Sequence, residues 1–258
     1  MSLGFRDHVV LIERDAVYWA SRTVGAVTQS TRQVWRSQSL PGGVEGFVRL
    51  LSEAPRGRWA RLDRLHVLLG YGLIHYQVVR WPDGAKSLGD LHAGAQASFA
   101  ERFGTAAAQW DMTVAPGIYR TNHLAAAVDR TWLAQLESVA SASQIRMASC
   151  RGVLHEVARR AHVATMHDAS VAVHHPGGFA CVHRRDGRWH DVCALPTTNG
   201  TLAQAFDTAH TLCDVEPAPT WLARIGRHAY DFDGTDKHAM PMTVHRAPEP
   251  HPWLWGAT

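Results

Sequence analysis

The sequence predicts an α/β protein of two lobes, and three observations carry that expectation. Two short runs, His8-Val9-Val10-Leu11-Ile12 and Leu65-His66-Val67-Leu68-Leu69, have the length and continuity of strands buried on both faces. A strand meander followed by an amphipathic helix occurs twice, once from about residue 8 and once from about residue 169. Hydrophobic residues make up 46% and charged residues 19% of the 258 positions, which is enough apolar side chain to fill a large core without a disulfide or metal staple.

The first run is followed by the polar turn Glu13-Arg14-Asp15 and a second strand around Val17-Tyr18-Trp19-Ala20. A third strand with polar alternation is expected over about residues 27–39. Pro41-Gly42-Gly43 breaks the chain. Val44, Phe47, Val48 and Leu51 then recur at helical spacing until Pro55 and Gly57 stop the helix. The 65–69 strand comes next. Strand, strand, strand, helix, strand is the first half of an RNase H-like unit, the building block of actin-like folds.

Residues 73–81 read as a strand ended by the turn Pro82-Asp83-Gly84. Ser87 with Asp90 three later has the form of a capping box. Leu88, Leu91, Ala95, Phe99 and Phe103 then line one helix face, with Gly104 as C-cap. A short strand over 110–115 and the turn Pro116-Gly117 follow. This strand–helix–strand piece reads as an insertion into the first lobe, and residues 124–128 as the return of the lobe itself. Asp129 is placed to cap a helix carrying Trp132, Leu133, Leu136 and Val139 inward. Residues 145–149 form a short strand, and Val153, Leu154, Val157 and Ala158 mark another helix.

In the second series, strands 170–174 and 179–183 flank His175-Pro176-Gly177-Gly178, a hairpin turn. Asp186-Gly187 turns the chain again before a strand over 189–195. Leu202, Ala205, Phe206, Ala209 and Leu212 mark a helix. The expected domains are a first RNase H-like lobe over 1–149 with its insertion at about 71–118, a second over 150–245, and a Pro/Trp tail over 246–258. In that tail, Trp253 and Trp255 follow alternating prolines and suit either a draped terminus or an aromatic docking peptide.

Charge and cysteine usage narrow the function. The net charge is +3, and only two lysines occur, so nucleic-acid or membrane-surface binding finds no basic patch. No window approaches 18 apolar residues, and Arg6, Asp7 and His8 interrupt the start before any apolar leader. Cys150, Cys181, Cys193 and Cys213 form no C-x-x-C pair. Their spacing suits buried thiols in a reducing compartment, and hence a cytoplasmic protein.

Four segments carry a resemblance. They are Leu73-Ile74-His75-Tyr76 running into Arg80-Trp81-Pro82-Asp83-Gly84; Phe99-Ala100-Glu101-Arg102-Phe103-Gly104 followed by Ala106-Ala107-Ala108-Gln109-Trp110; Leu124-Ala125-Ala126-Ala127-Val128-Asp129-Arg130 with Leu133 and Leu136; and Arg185-Asp186-Gly187-Arg188-Trp189. In that order, over roughly residues 8–195, the chain resembles the actin-like cytoplasmic platform proteins of bacterial type IV pilus and type II secretion systems, of the PilM and GspL cytoplasmic-domain type. The resemblance implies a bilobal actin-like fold that scaffolds inner-membrane partners and a motor ATPase.

An actin-like ATPase holds phosphates between two β-hairpins, each with an aspartate for Mg²⁺ and water and a glycine that lets the phosphate approach. Here the first hairpin, Glu13-Arg14-Asp15-Ala16, has acids without a glycine. The second, His174-His175-Pro176-Gly177-Gly178, has glycines without an acid, and Pro176 removes a backbone donor. Late in the chain only the isolated Gly226 and Gly234 remain where an adenine pocket needs a Gly-Gly pair, and no Walker A pattern occurs. Glu13, Asp15, His174, Gly177 and Gly178 therefore mark a degenerate nucleotide site, and the expected function is a non-catalytic scaffold without cofactor. The alternatives are an active nucleotide-binding ATPase or kinase with residual ATP and Mg²⁺, or a His-liganded metal enzyme.

Seventeen histidines occur, and His162, His167, His174, His175, His183 and His190 crowd the second lobe. His183 and His190 flank the Asp186-Gly187 turn on adjacent strands and form the best metal pair, joined by Asp191 or Asp168. Cys150 precedes Arg151 and Gly152 at a helix start, where a helix N-terminus can lower a thiol pKa; the other reading is a buried thiol. No G-x-S-x-G elbow is present. Partner contacts are expected on the inserted piece, at Tyr76 and Trp81, in the cleft between lobes, and at Trp253 and Trp255. The partners would be a short segment of an inner-membrane pilus or secretion protein and a motor ATPase, so any membrane association is indirect.

Overall fold

The structure, a computed structural model, describes residues 5–14, 16–23, 33–36, 43–57, 60–115, 117–175, 177–197, 201–225 and 244–246. In chain order the elements are β1 (Arg6–Ile12), β2 (Val17–Thr23), β3 (Gln33–Arg36), α1 (Val44–Glu53), β4 (Arg64–Leu69), β5 (His75–Val79), α2 (Leu88–Phe103), β6 (Trp110–Val114), β7 (His123–Asp129), α3 (Arg130–Ala142), β8 (Arg146–Gly152), α4 (Val153–Arg160), β9 (Ala169–His175), β10 (Gly178–Arg185), β11 (Arg188–Pro196), α5 (Leu202–Cys213), β12 (Thr220–Arg224) and β13 (Val244–Arg246). They fall into two compact units. The first holds the chain up to Leu73 together with Arg130–Val153. The second holds Ile74–Asp129 and Leu154–Pro248.

The first unit is built on a five-stranded sheet of order β3-β2-β1-β4-β8. β1 runs antiparallel to β2 and parallel to β4, which is parallel to β8. Every residue from Asp7 to Ile12 is buried, as a central strand covered on both faces requires. α1 buries Phe47, Leu50 and Leu51, and α3 buries Leu136 and Ala140. Val48, expected on the inner face of α1, is exposed and Leu50 takes its place. The buried stripe is thus Phe47-Leu50-Leu51, an i, i+3, i+4 set. Of the strand expected over 27–39, residues 33–36 are described and the remainder lies outside the described residues.

The second unit contains two sheets. β5-β7-β6 is an all-antiparallel sheet crossed by α2. Residues 124–128 do not return to the first unit's sheet. As β7 they lie between β5 and β6 and complete the inserted α+β piece. Ala125 and Ala127 are the reason, since small side chains there let Leu91, Ala95 and Phe99 of α2 pack close. Ser87 and Asp90 form the expected capping box, and the Gly104 N–H closes the helix onto the Ala100 carbonyl. Leu88, placed on the inner face by its spacing, is 74% exposed because it opens the first turn.

The other sheet has the order β11-β10-β9-β12-β13. β9, β10 and β11 are an antiparallel meander, and β12 runs parallel to both β9 and β13. α5 buries Leu202, Ala205, Phe206, Ala209 and Cys213 against this sheet. Counted in order within each sheet, both five-stranded sheets read third-second-first-fourth-fifth. The duplicated meander-plus-helix pattern of the sequence therefore corresponds to one topology used twice.

Candidate functional site

At the first hairpin, Ile12 pairs with Val17, and the Glu13 N–H donates to the Ala16 carbonyl at 2.8 Å. Glu13 is buried, with its side chain folded against Gly70 at the end of β4. A Cβ on Gly70 would meet Glu13 Cγ and Oε1 at 2.9 Å, and the Gly70 N–H donates to the Ile12 carbonyl at 2.8 Å. The hairpin therefore spends its first N–H on itself and packs its first acid onto neighbouring backbone. Asp15 lies outside the described residues.

At the second hairpin, His175 pairs with Gly178, and Gly177 adopts φ +83°, a left-handed conformation that glycine takes without strain. The Gly177 carbonyl accepts from the Thr197 N–H at 3.2 Å, and the His174 carbonyl from the Ile225 N–H at 2.8 Å. His175 is buried and His174 half-buried. No carboxylate belongs to this turn. Pro176, Gly226 and Gly234 lie outside the described residues.

The histidines are arranged differently from the expectation. His183 pairs with Asp191 rather than with His190, because a β-bulge falls between His183 and Arg184. His183 is fully buried while His190 is exposed, so those two do not share a site. Asp168 is engaged elsewhere. Its Oδ2 contacts His167 Nδ1 at 3.0 Å and its Oδ1 accepts the Asp186 N–H at 2.9 Å, bracing the β10–β11 turn. Asp186 and Gly187 both take positive φ, as a two-residue hairpin turn demands.

What His183 does approach is a pair of thiols. A ring nitrogen of His183 and the Sγ atoms of Cys193 and Cys213 all lie within 4.8 Å of one another, and all three residues are buried. His183 Nδ1 is 2.9 Å from Ser170 Oγ, and the His210 ring centroid is 5.5 Å from that of His183. Burial, then the His210 charge, push His183 down to about 3, so its imidazole is neutral at pH 7. The Cys213 thiol is raised by its hydrogen bond to Cys193 and then by burial. Sequence spacing gave no sign of this cluster, since Cys193 and Cys213 lie 10 and 30 residues beyond His183.

Cys150 is not an activated thiol. It lies within β8 rather than at the N-terminus of α4, and burial followed by the Glu137 charge pushes it up to about 12. Tyr76 is buried within the inserted piece. Trp81 is half-buried, donates its Nε1–H to the Ala85 carbonyl at 3.1 Å and packs edge-on to Tyr119. Trp253 and Trp255 lie outside the described residues.

The open feature of the inserted piece is an edge strand. Among the described residues β6 pairs with β7 alone. The Ala115 N–H donates to the Leu124 carbonyl at 2.8 Å. Donors alternate along an antiparallel strand, so the N–H groups of Met112 and Val114 point away from β7. No helix among the described residues is long and apolar enough to cross a membrane.

No known family model matches the sequence, and a search of curated proteins returns no match. Solved structures are similar at low identity. The chain aligns with the cytoplasmic domain of EpsL, an inner-membrane component of the type II secretion system of Vibrio cholerae, at 12% identity and TM-score 0.61, covering 96% of this chain and 92% of that one. It aligns with a chain of the PilM–PilN type IV pilus biogenesis complex at 12% identity and TM-score 0.56, covering 93% and 88%. A Bacteroides thetaiotaomicron protein of actin-like ATPase fold aligns at 5% identity and TM-score 0.56, covering 93% and 90%. The chain has the actin-like fold, the fold of the pilus and secretion proteins that its sequence resembles.

Proposed function

We propose that this chain is a non-catalytic, degenerate actin-like scaffold that binds inner-membrane or motor components of a type IV pilus or type II secretion-like system. The observation that carries the reading is the edge of β6 that no other strand pairs among the described residues, whose outward Met112 and Val114 N–H groups are a template for an added strand. The partner would be a short extended segment of an inner-membrane protein, or a secretion motor ATPase. On this reading the protein works in the cytoplasm and reaches the membrane only through that partner.

The hairpins support the non-catalytic half of the reading. Among the described residues, Glu13 is packed against Gly70 and the Gly177 carbonyl is held by the Thr197 N–H, so neither of these groups is turned outward towards a phosphate. The similarity to EpsL and to the PilM–PilN complex supports the scaffold half of the reading, through the fold alone. Isothermal titration of the purified chain with Mg-ATP is expected to give no micromolar binding. A saturable micromolar isotherm would overturn the reading and favour the nucleotide-dependent alternative. Capture of a pilus or secretion inner-membrane component encoded beside this chain is the positive counterpart.

A further inference from the structure

We propose that His183, Cys193 and Cys213, completed by His210, form a buried tetrahedral site for a thiophilic divalent cation of the zinc class in the core of the second five-stranded sheet. It is a structural metal site, independent of the scaffold reading above.

Strand register builds most of it. Cys181 pairs with Cys193 and His183 with Asp191, so His183 and Cys193 are diagonal neighbours on β10 and β11. α5 crosses the same face, shares a core cluster with Cys181 and Cys193, and ends in Cys213. The bulge beside His183 re-aims the strand at that residue.

The donor geometry is close to what the metal needs. The three ligand atoms lie within 4.8 Å of one another. A tetrahedral zinc ion holds its sulfur and nitrogen ligands roughly 3.3–3.8 Å apart, so a contraction of about 1 Å through side-chain rotation completes the set. Ser170 Oγ engages His183 Nδ1 at 2.9 Å, which orients the ring and leaves Nε2 as the binding nitrogen. His183 Nε2 and His210 Nε2 are both buried without a hydrogen-bond partner among the described residues. A buried imidazole nitrogen without a partner is costly; His183 lies beside the two thiols and the His210 ring centroid is 5.5 Å from its own, so one ion would satisfy both.

Charge selects the ion. Two thiolates neutralise a divalent cation, and two neutral imidazoles add nothing, so the loaded site is uncharged and tolerates this apolar core. A monovalent ion would leave a net negative charge there. Thiolates also disfavour Mg²⁺ and Ca²⁺, which take oxygen ligands. On binding, the Cys193 and Cys213 thiols each release a proton to solvent while the cation forms its two bonds to sulfur. The result pins the end of α5 to β10 and β11.

The test uses the full chain, purified reduced, stripped with chelator and titrated anaerobically with Co²⁺. One equivalent is expected to bind, with thiolate-to-cobalt charge-transfer absorption in the near ultraviolet and the visible bands of a tetrahedral site, both erased by Zn²⁺. Cys193→Ser and Cys213→Ser should remove the charge-transfer band, whereas Cys150→Ser should keep it. Because serines in this core can unfold the chain, Ser170→Ala is the second arm, with affinity for Co²⁺ expected to fall about 10-fold or more. Absence of the band from the folded parent protein, its loss in Cys150→Ser, or unchanged affinity in Ser170→Ala would each overturn the proposal.

Discussion

Burying an imidazole beside a carboxylate sets two effects against each other, and at His8 they can be ranked. Its Nε2 is 3.8 Å from Asp63 Oδ2, and both side chains are fully buried. Asp63 already accepts the Arg6 N–H at 2.7 Å and the Gly57 N–H at 3.2 Å, so its charge is satisfied without a proton from His8. Burial dominates, Asp63 pulls the other way, and Arg56 and Arg6 add to the downward shift, leaving His8 at about 4. The folded-state value is below the unfolded value near 6.5, so the unfolded chain binds the proton more tightly. Stability from the neutral His8 is complete above about pH 6.5 and is lost as pH falls towards 4. Between pH 7 and 4.5 that loss is roughly 2–3 kcal/mol. Urea unfolding at the two pH values should therefore show a smaller acid penalty, by about that amount, in His8→Leu than in the parent chain. An equal penalty in both would show that His8 is not neutral in the folded state. The same residue scale explains one failure of reading from sequence. A regular two-residue hairpin at Asp186-Gly187 would pair His183 with His190. The bulge moves His183 to Asp191, and nothing in the residue types near the turn announces it.

Among the elements, α2 shows where local rules and packing disagree. Its capping box and its Leu91-Ala95-Phe99 stripe are legible because both depend on spacing within a few residues. Gly94, in the middle of the helix, looks like a weakness on propensity alone, since alanine is favoured there by about 1 kcal/mol. Yet a Cβ at Gly94 would come within 2.6 Å of Pro82 Cγ, in the turn that follows β5. A proline ring cannot rotate out of the way as a flexible side chain can. Gly94→Ala is accordingly expected to destabilise the chain, with an overpacking cost of roughly 1–3 kcal/mol exceeding the helical gain. Chemical denaturation decides the sign, and a more stable variant would mean that the Pro82 turn shifts freely off α2. Residues 124–128 show the opposite limit. Their small side chains identify a strand but not the sheet it joins, and the neighbours β5 and β6 that settle the matter come from separate stretches of the chain.

At the scale of the whole molecule, the doubled meander-then-helix pattern was readable because it repeats local periodicity. β12 was not, since Thr220–Arg224 is five residues long and follows Pro217 and Pro219 without alternation. Its assignment comes from parallel pairing with β9, some 50 residues earlier. The fold leaves both five-stranded sheets backed by helices, and among the described residues β6 is an edge strand of the inserted piece. That placement allows a test which separates partner binding from folding. Proline on an edge strand is tolerated where its missing N–H faced outward, and damaging where that N–H belonged to the ladder. By the alternation fixed at Ala115, the outward donors are Met112 and Val114, and Thr113 donates inward. Val114→Pro keeps an apolar ring near the inserted core while removing one outward donor. It is expected to melt within a few degrees of the parent chain and to lose 10-fold or more in affinity for a captured inner-membrane segment. Thr113→Pro, one residue away, should instead destabilise the inserted sheet itself. Equal partner affinity in a folded Val114→Pro protein would remove β6 as the docking edge, because no side-chain contact could stand in for a main-chain hydrogen bond that an added strand must make.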